Sequence, residues 1–256
     1  MTVSLWNIVG SVFFRRGGNT QDEGSTNIFQ APKESIRIFM ASTTFSLEVA
    51  EKALEENGFF DLEDPAMGEY VEQMERRSFP FVSEYGLDFC KERVLDDERI
   101  TIIIETVLGR CALAHWLRYK AYPGHIVCFR AGGPKAGRRS LLVQLWAKGS
   151  HVEYYRGSHL HDMPKEEGAR LLWEIEPSTL AEAGCVALSK EFPNGGVVIL
   201  DARVNYEMKE GYAITFEFAK DDIITNWPKL RIPAKLAQKV VKMQSKTIRV
   251  NYELAI

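Results

Sequence analysis

GGVVILDARVNYEMKEGYAITFEF, residues 195–218, has the pattern of two β-strands joined by a short turn. Glycines precede each apolar run, and apolar residues alternate with polar ones through 214–218. Similar short runs, separated by Gly, Pro and charged turns, begin near residue 125 and include HIVCFRA, SLLVQLWAKG, HVEYYRGS, GCVALSK and KTIRVNYEL. The second half of the chain is therefore predicted to be an antiparallel β-barrel or sandwich.

The first half is predicted to be mainly helical. Ser46 and Gly58 are suited to cap a helix whose apolar residues recur at helical spacing. The predicted helices span residues 46–58, 64–77, 83–95, 97–124 and 166–184. Within 97–124 we expect one or two helices broken near Gly109, and the β-branched run Ile100–Ile104 leaves a strand as the alternative.

These elements predict a single α+β domain over residues 1–256. Residues 1–34 form an N-terminal segment with a mobile, Gly-rich loop, and 35–124 form a mainly helical buttress that starts with a strand at 35–43. Residues 125–256 form the β-barrel core and a C-terminal helix and tail.

The composition excludes several classes of protein. The formal charge of −3 gives no reason to expect a nucleic-acid partner. No run of 18 apolar residues exists, so no membrane span is predicted. The cysteines lie far apart without a CxxC pair, which predicts a reduced, cytoplasmic protein.

Two segments of the second half belong together. LLVQLWAKGSHVEYYRGSHLH, residues 141–161, is a strand ending in Trp146, a second strand and then Gly-Ser-His. FPNGGVVILDARVNYEMKEGYAITF, residues 192–216, has a glycine turn, a strand ending in Asp-x-Arg and a return strand. This order resembles the phytanoyl-CoA-dioxygenase-like family, which are iron(II)- and 2-oxoglutarate-dependent oxygenases. The resemblance covers about residues 125–220 and implies a double-stranded β-helix, a jelly-roll or cupin-like barrel, buttressed by N-terminal helices.

The residues that bind iron in that family have no counterpart in this chain. Such enzymes use an H-x-D or H-x-E pair, a later His and an Arg that binds 2-oxoglutarate. Tyr206 stands where the resemblance places the later His, no His occurs in 129–139, and the Arg would fall near Gly211 or Tyr212. The resemblance therefore implies a degenerate member without metal ligands, and we predict neither a metal nor a cofactor.

One H-x-E sequence remains as an alternative. His151-Val152-Glu153 matches the pattern, but it lies on a different strand from the family motif and no His follows residue 161. The other interpretation is that both side chains share a solvated face of a strand.

A barrel without iron could still orient a reactive molecule through hydrogen-bond donors. The predicted catalytic residues are Tyr206, Asn205, Arg203 and His151. The predicted substrate-binding residues are Trp146, Glu153, Tyr155, Lys135 and Phe216. Alternatively, Tyr206 packs in the cavity and plugs it. The Gly157-Ser158-His159 motif is predicted to be a turn in which the His bonds to backbone.

The resemblance implies work on terpenoid or polyketide metabolites. We predict a cofactor-independent cyclase or isomerase acting on a small-molecule natural product in the barrel. The alternative is a non-catalytic partner of an active non-haem iron oxygenase, and a third possibility is an iron oxygenase with atypical ligands. A homodimer or heterodimer is expected, and 232–256 is either an interaction segment or packs on its own barrel. An open cavity with polar side-chain ends would favour the enzyme, whereas a large apolar patch would favour the partner.

Overall fold

The computed structural model describes residues 45–255, so the segment predicted for 1–34 and the strand predicted at 35–43 lie outside the described residues. The α-helices are α1 (Leu47–Glu56), α2 (Met67–Arg76), α3 (Glu84–Cys90), α4 (Glu98–Leu108), α5 (Pro177–Glu182) and α6 (Ala237–Met243). The strands are β1 (Phe59–Asp61), β2 (Cys111–Lys120), β3 (Ile126–Cys128), β4 (Ser140–Trp146), β5 (Ser150–Arg156), β6 (Glu166–Glu167), β7 (Trp173–Ile175), β8 (Val186–Phe192), β9 (Gly196–Asp201), β10 (Tyr206–Glu210), β11 (Tyr212–Lys220), β12 (Leu230–Pro233), β13 (Ile248–Val250) and β14 (Tyr252–Ala255).

Two six-stranded sheets form an open barrel. Sheet A has the order β1-β9-β4-β11-β2-β13 and sheet B has the order β6-β7-β3-β10-β5-β8. The eight central strands β2, β3, β4, β5, β8, β9, β10 and β11 pair antiparallel within each sheet. From β2 to β5 and from β8 to β11 the chain alternates between the sheets, which is the strand order of a jelly roll. The protein therefore has the predicted α+β double-stranded β-helix, although its two sheets do not close into one barrel.

Sheet A is buried on both faces. One set of alternating side chains, including Trp116, Ile214 and Phe216, packs in a cluster with residues of α1, α2, α3, α4 and α6. The other set, including Trp146 and Ala213, faces sheet B and packs in a second cluster with Tyr154 and Tyr206. The period of two along each strand separates the two clusters. The N-terminal helices thus cover sheet A, as predicted for a buttress.

The helices predicted at 46–58, 64–77 and 83–95 are confirmed as α1, α2 and α3, the last continuing as a π-helical turn at Lys91–Leu95. The Ser46 hydroxyl accepts a hydrogen bond from Val49 N and starts α1 as expected.

The helical prediction for 97–124 is only half correct. Residues Glu98–Leu108 form α4, and Gly109, with φ of 66°, ends it. The following ten residues are strand β2, so the first barrel strand starts at Cys111 and not after residue 124. Cys111–Ala114 are all buried and show neither a helical nor an alternating pattern. Their conformation is set by pairing with β11, about a hundred residues later.

The helix predicted across 166–184 is also too long. Only Pro177–Glu182 is α-helical, with Pro177 at its first position. The preceding residues form β6 and β7, which extend sheet B beyond β3.

The C-terminal segment packs on its own barrel. Val240 and Met243 of α6 join the cluster over sheet A, and β13 pairs in parallel with β2. Among the described residues, no helix is long and apolar enough to cross a membrane.

Candidate functional site

The inner face of sheet A carries a row of polar side chains. In the β2–β11 pair, His115 lies opposite Glu217 and Leu117 opposite Thr215. Thr215 in turn lies opposite Gln144 of β4. Alternate residues of a strand share one face, so these polar groups line the barrel beside Tyr119 and Trp146. Three of the row's members, Gln144, Thr215 and Glu217, are completely buried.

Several polar atoms in this row have no hydrogen-bond partner in the protein. They are His115 Nε2, Gln144 Nε2, Trp146 Nε1, Thr215 Oγ1 and Glu217 Oε2. Nearly all buried polar atoms in proteins are paired, and each unpaired one costs about 1–3 kcal/mol. Five such atoms on three neighbouring strands make the inner face of sheet A the candidate site.

Glu217 is the charged centre of this surface and is completely buried. Its Oε1 accepts hydrogen bonds from Arg130 Nε at 2.9 Å and from Ser140 Oγ at 2.7 Å. The Arg130 guanidinium also stacks 3.7 Å from the ring centre of Trp227. The pair with Arg130 supplies the opposite charge that a buried carboxylate requires.

His115 lies on the other side of Glu217, with Nδ1 3.4 Å from Glu217 Oε2. Burial lowers the pKa of His115; Glu217 acts in the opposite direction and Arg130 adds to the lowering. The imidazole is therefore neutral at pH 7, with one nitrogen near a carboxylate and the other unpartnered.

Tyr206 lies inside the barrel, where its β10 position faces Tyr154 and Val127 of the neighbouring strands. Only 1% of its surface is exposed. Burial is the main cause of its strongly raised pKa, and nearby Tyr119 adds to it. The phenol therefore stays protonated and is able to donate a hydrogen bond.

The space beside Tyr206 is small. A cavity of about 20 Å³ is bounded by residues of four segments: Tyr119, Lys120, Tyr122, His125, Val127, Ala169, Arg170, Leu172, Tyr206 and Met208. Such a volume suits one water molecule. The interior is otherwise filled by large side chains. Phe59 stacks on Tyr154 with ring centres 4.6 Å apart, and Trp146 stacks on Phe192 with ring centres 5.0 Å apart.

Arg170 closes this cavity from outside. Its guanidinium donates to the Lys120 carbonyl at 2.9 Å and lies 4.8 Å from the ring centre of Tyr122. Its φ of 62° is in the left-handed region, which is unfavourable for a residue other than glycine.

Two predicted catalytic residues, Arg203 and Asn205, shortly precede Tyr206 in the sequence but have different surroundings. Arg203 forms a two-pronged ion pair with Asp201, at 2.9 and 2.8 Å, and donates to the Gly133 carbonyl at 2.6 Å. These contacts hold the β9–β10 connection to the loop before β4. The Asn205 side chain is buried, and neither of its polar atoms has a protein partner.

The fourth predicted catalytic residue, His151, lies on the other face of sheet B. Along β5, Val152 and Tyr154 are buried inside, and His151, Glu153 and Tyr155 alternate with them on the outer face. His151 Nε2 contacts Ser189 Oγ at 2.7 Å, and Glu153 pairs with Lys209 at 3.0 Å. The H-x-E pair is thus separated from Tyr206 by the sheet itself.

The remaining predicted substrate-binding residues are also dispersed. Trp146 faces the barrel interior, but Phe216 faces the helices and stacks on Trp116 at 5.9 Å. Lys135 is exposed in the loop between β3 and β4. Only Tyr206 and Trp146 of the predicted set come together in the barrel.

The Gly157-Ser158-His159 motif is a turn, as predicted. Gly157 has a left-handed conformation, and a 3₁₀ turn follows at Ser158–Leu160. His159 Nε2 lies 3.1 Å from the Glu55 carbonyl oxygen.

The residues around Tyr206 do not fit an iron site. Tyr206 offers a buried phenol whose raised pKa opposes its use as an anionic ligand. Across from it, β3 ends in Cys128, whose pKa is raised mainly by burial, and Phe129-Arg130-Ala131 follow. No group of three or more His, Cys, Asp or Glu side chains within residues 45–255 is arranged to hold a metal.

Four residues of the polar row carry no prediction from the sequence: His115, Gln144, Thr215 and Glu217. Arg130, the partner of Glu217, carries none either. The available signal was Glu217, a carboxylate between two phenylalanines in a strand that otherwise reads as core. His115 was hidden because its segment was predicted to be helical.

No family model matches the sequence, and no curated protein matches it. Among solved structures, AviO1 from Streptomyces viridochromogenes Tue57 is 15% identical, with 70% of this chain and 96% of that chain covered at a TM-score of 0.46. The epimerase SnoN, in complex with Fe3+, alpha ketoglutarate and nogalamycin RO, is 13% identical, with 82% and 96% covered at 0.49. Apo HygX from Streptomyces hygroscopicus is 13% identical, with 80% and 96% covered at 0.46. At these identities and TM-scores the similarity says nothing about the chemistry of this chain.

Proposed function

We propose that this protein is a cofactor-independent isomerase or cyclase that holds a small carbonyl-containing natural product against the inner face of sheet A. The single observation that carries the proposal is the row of unpartnered polar atoms inside the barrel. A terpenoid or polyketide substrate is the part of the proposal that rests on the family resemblance alone.

The chemistry follows from the kinds of group in the row. Thr215 brings a hydroxyl donor, and Gln144 brings an amide donor whose own oxygen already accepts from Tyr154 at 2.6 Å. Tyr206 adds a phenol from β10 of sheet B, on the opposite side of the interior. Donors fixed in a dry interior stabilise a developing oxyanion without reorganisation, which is how such sites accelerate enolisation or double-bond migration. Asn205 is kept in the proposal as a buried amide next to Tyr206, whereas Arg203 and His151 are committed to other contacts.

Binding requires the interior to open. The cavity of about 20 Å³ cannot hold an organic ligand. Arg170 and its neighbours form the cover over it, held by the contacts to Lys120 and Tyr122. The proposal therefore includes outward movement of the segment 169–172.

The test uses β-ionone, a conjugated enone, as the probe. Binding is followed by quenching of tryptophan fluorescence and by the shift in melting temperature. We expect Tyr206→Phe and Thr215→Val each to weaken binding by about 2–10-fold, the value of one neutral hydrogen bond. Thr225→Val, the same chemical change at an exposed position, is the matched control and should bind like the wild type. Absence of binding, or equal binding by all three variants, would contradict the proposal.

A second measurement addresses iron. Purified protein is titrated with iron(II) and 2-oxoglutarate, and succinate is assayed. We expect no succinate, because the donor set near Tyr206 does not fit the metal.

A second candidate function is that of a non-catalytic partner of a non-haem iron oxygenase. It is favoured by the filled interior and by β8, an edge strand of sheet B on which Val186 and Leu188 are 65% and 40% exposed. Unpaired edges with exposed apolar residues are suited to pairing with another chain. Sedimentation velocity of the wild type and of Leu188→Lys tests whether β8 pairs with another chain. A dimer that Leu188→Lys dissociates supports pairing between two copies of this chain. A monomer at all concentrations means that the partner must be a different protein.

A further inference from the structure

His115 and Glu217 form a pair of side chains that faces the barrel interior. They are directly opposed across the β2–β11 ladder, with Nδ1 3.4 Å from Oε2. The second imidazole nitrogen, Nε2, is buried and has no protein partner. Phe129 stacks along the imidazole with ring centres 6.1 Å apart and planes 12° apart, which fixes the orientation of the ring.

This arrangement matches the requirements for a general base. A carboxylate that faces Nδ1 favours the tautomer with its proton on Nδ1, and this leaves Nε2 free to accept a proton. Arg130 and Ser140 both bond to the other carboxylate oxygen, Oε1, which fixes the position of Glu217.

Part of the imidazole lies at the surface of the barrel, but Nε2 itself is buried, so a substrate reaches Nε2 only when the residues over it move aside. The His115 side chain is 28% exposed, and the next inward residue on β2, Leu117, is 50% exposed. The row therefore emerges at the side of the barrel between β2 and sheet B. Tyr119 follows Leu117 on the inner face of β2. Its ring centre lies 5.1 Å from that of Phe129, and it brings a phenol to the same region.

We propose that His115 is the proton-transferring base of the barrel, that Glu217 is its positioning residue, and that the substrate is a carbon acid activated by a neighbouring carbonyl group. This inference rests on the proposed function and names the substrate class for it.

The proposed step balances without any added oxidant or reductant. His115 Nε2 takes a proton from the carbon next to the carbonyl. The C–H electron pair becomes a carbon–carbon double bond, and the carbonyl π electrons move to oxygen, where a hydroxyl of the row donates a hydrogen bond. The imidazolium then returns the proton to a different carbon of the conjugated system. The net result is migration of a double bond.

The first experiment measures the tautomer of His115 by long-range ¹H–¹⁵N spectra of histidine-labelled protein at pH 7. We expect a neutral ring with the proton on Nδ1, and loss of this fixed tautomer in Glu217→Gln. A proton on Nε2 would overturn the proposal, because that nitrogen could not accept another.

The second experiment measures base catalysis on 5-nitrobenzisoxazole, whose ring opens after removal of one C–H proton. We expect His115→Gln to lose about 10²-fold or more in rate, and the wild-type rate to fall with decreasing pH as Nε2 becomes protonated. His161→Gln, a change at an exposed histidine, should match the wild type. A wild-type rate no faster than free imidazole, or an unchanged rate in His115→Gln, would overturn the assignment.

The two proposals fail in different ways. If β-ionone does not bind but the tautomer and the elimination rate are as expected, the base stands and the enone-binding barrel fails. If β-ionone binds through Tyr206 and Thr215 while His115→Gln keeps its elimination rate, the barrel stands and the base fails.

Discussion

The ion pair between Arg130 and Glu217 gives a prediction in which the two partners are not equivalent. The Glu217 side chain is 0% exposed and the Arg130 side chain is 35% exposed. Removal of Arg130, as Arg130→Met, leaves a carboxylate that water cannot reach. Removal of Glu217, as Glu217→Leu, leaves a guanidinium that can turn to solvent.

The magnitudes follow from this difference in burial. Stranding a buried charge costs about 3–5 kcal/mol, so we expect Arg130→Met to lower the free energy of unfolding by about 4 kcal/mol at pH 8. Glu217→Leu loses charge-assisted hydrogen bonds while its partner is rehydrated, and should cost about 2 kcal/mol. The double variant should be more stable than Arg130→Met alone, because no buried charge remains.

Urea unfolding monitored by tryptophan fluorescence at pH 8 measures these differences in the free energy of unfolding. Arg139→Met is the matched control, since Arg139 and its partner Asp222 are 46% and 64% exposed and exposed pairs contribute less than about 1 kcal/mol. If Glu217→Leu proves as costly as Arg130→Met, or if the double variant is no more stable than Arg130→Met, Glu217 is not a buried charge held by Arg130.

Three further predictions test other parts of the molecule. Gly58→Ala should destabilise by more than about 1 kcal/mol, because Gly58 has φ of 87° and a Cβ there would lie 2.4 Å from Val204 and 2.5 Å from His159; urea unfolding measures it, and a neutral effect would contradict the close packing. Arg170→Ala should speed β-ionone association in stopped flow, since it removes the contacts to Lys120 and Tyr122, and an unchanged rate would rule out this cover as the barrier. The lowered pKa of His115 means that the unfolded chain gains a proton near pH 6.5 before the folded chain does, so stability falls below that pH; the fall should be smaller in His115→Gln, and parallel pH profiles would refute it.

Much of the barrel could be predicted because its strands show local signals. The turn before β9, the alternation in β11 and the glycines between strands indicate β-structure without knowledge of the partners. Tyr206 was expected near the interior from its place after β9, and it lies there. Its catalytic role stays a prediction.

The polar row could not be predicted, since it exists only after distant strands pair. β2 has a buried apolar start that suits several structures, and its pairing with β11 joins residues about a hundred positions apart. The environment of Glu217 is set by its contacts with Arg130 and His115, which come from two other strand regions. The sequence also did not decide which face of sheet B carries His151. A shift of one residue in the register of β5 would move its side chain to the opposite face.

The double covering of sheet A has a consequence for motion. Its strands are packed between the helices and the interior, so their amide hydrogens should exchange with solvent only through near-global unfolding. Within residues 45–255, sheet B has no such helical layer over its exposed strand β8, and its short outer strands β6 and β7 contribute few pairs. The barrel is thus built from one rigid wall, which carries the polar row at fixed spacing, and one wall that can open locally. On the proposed function, a substrate would enter by displacing the second wall, while the spacing of the chemical groups on the first is preserved.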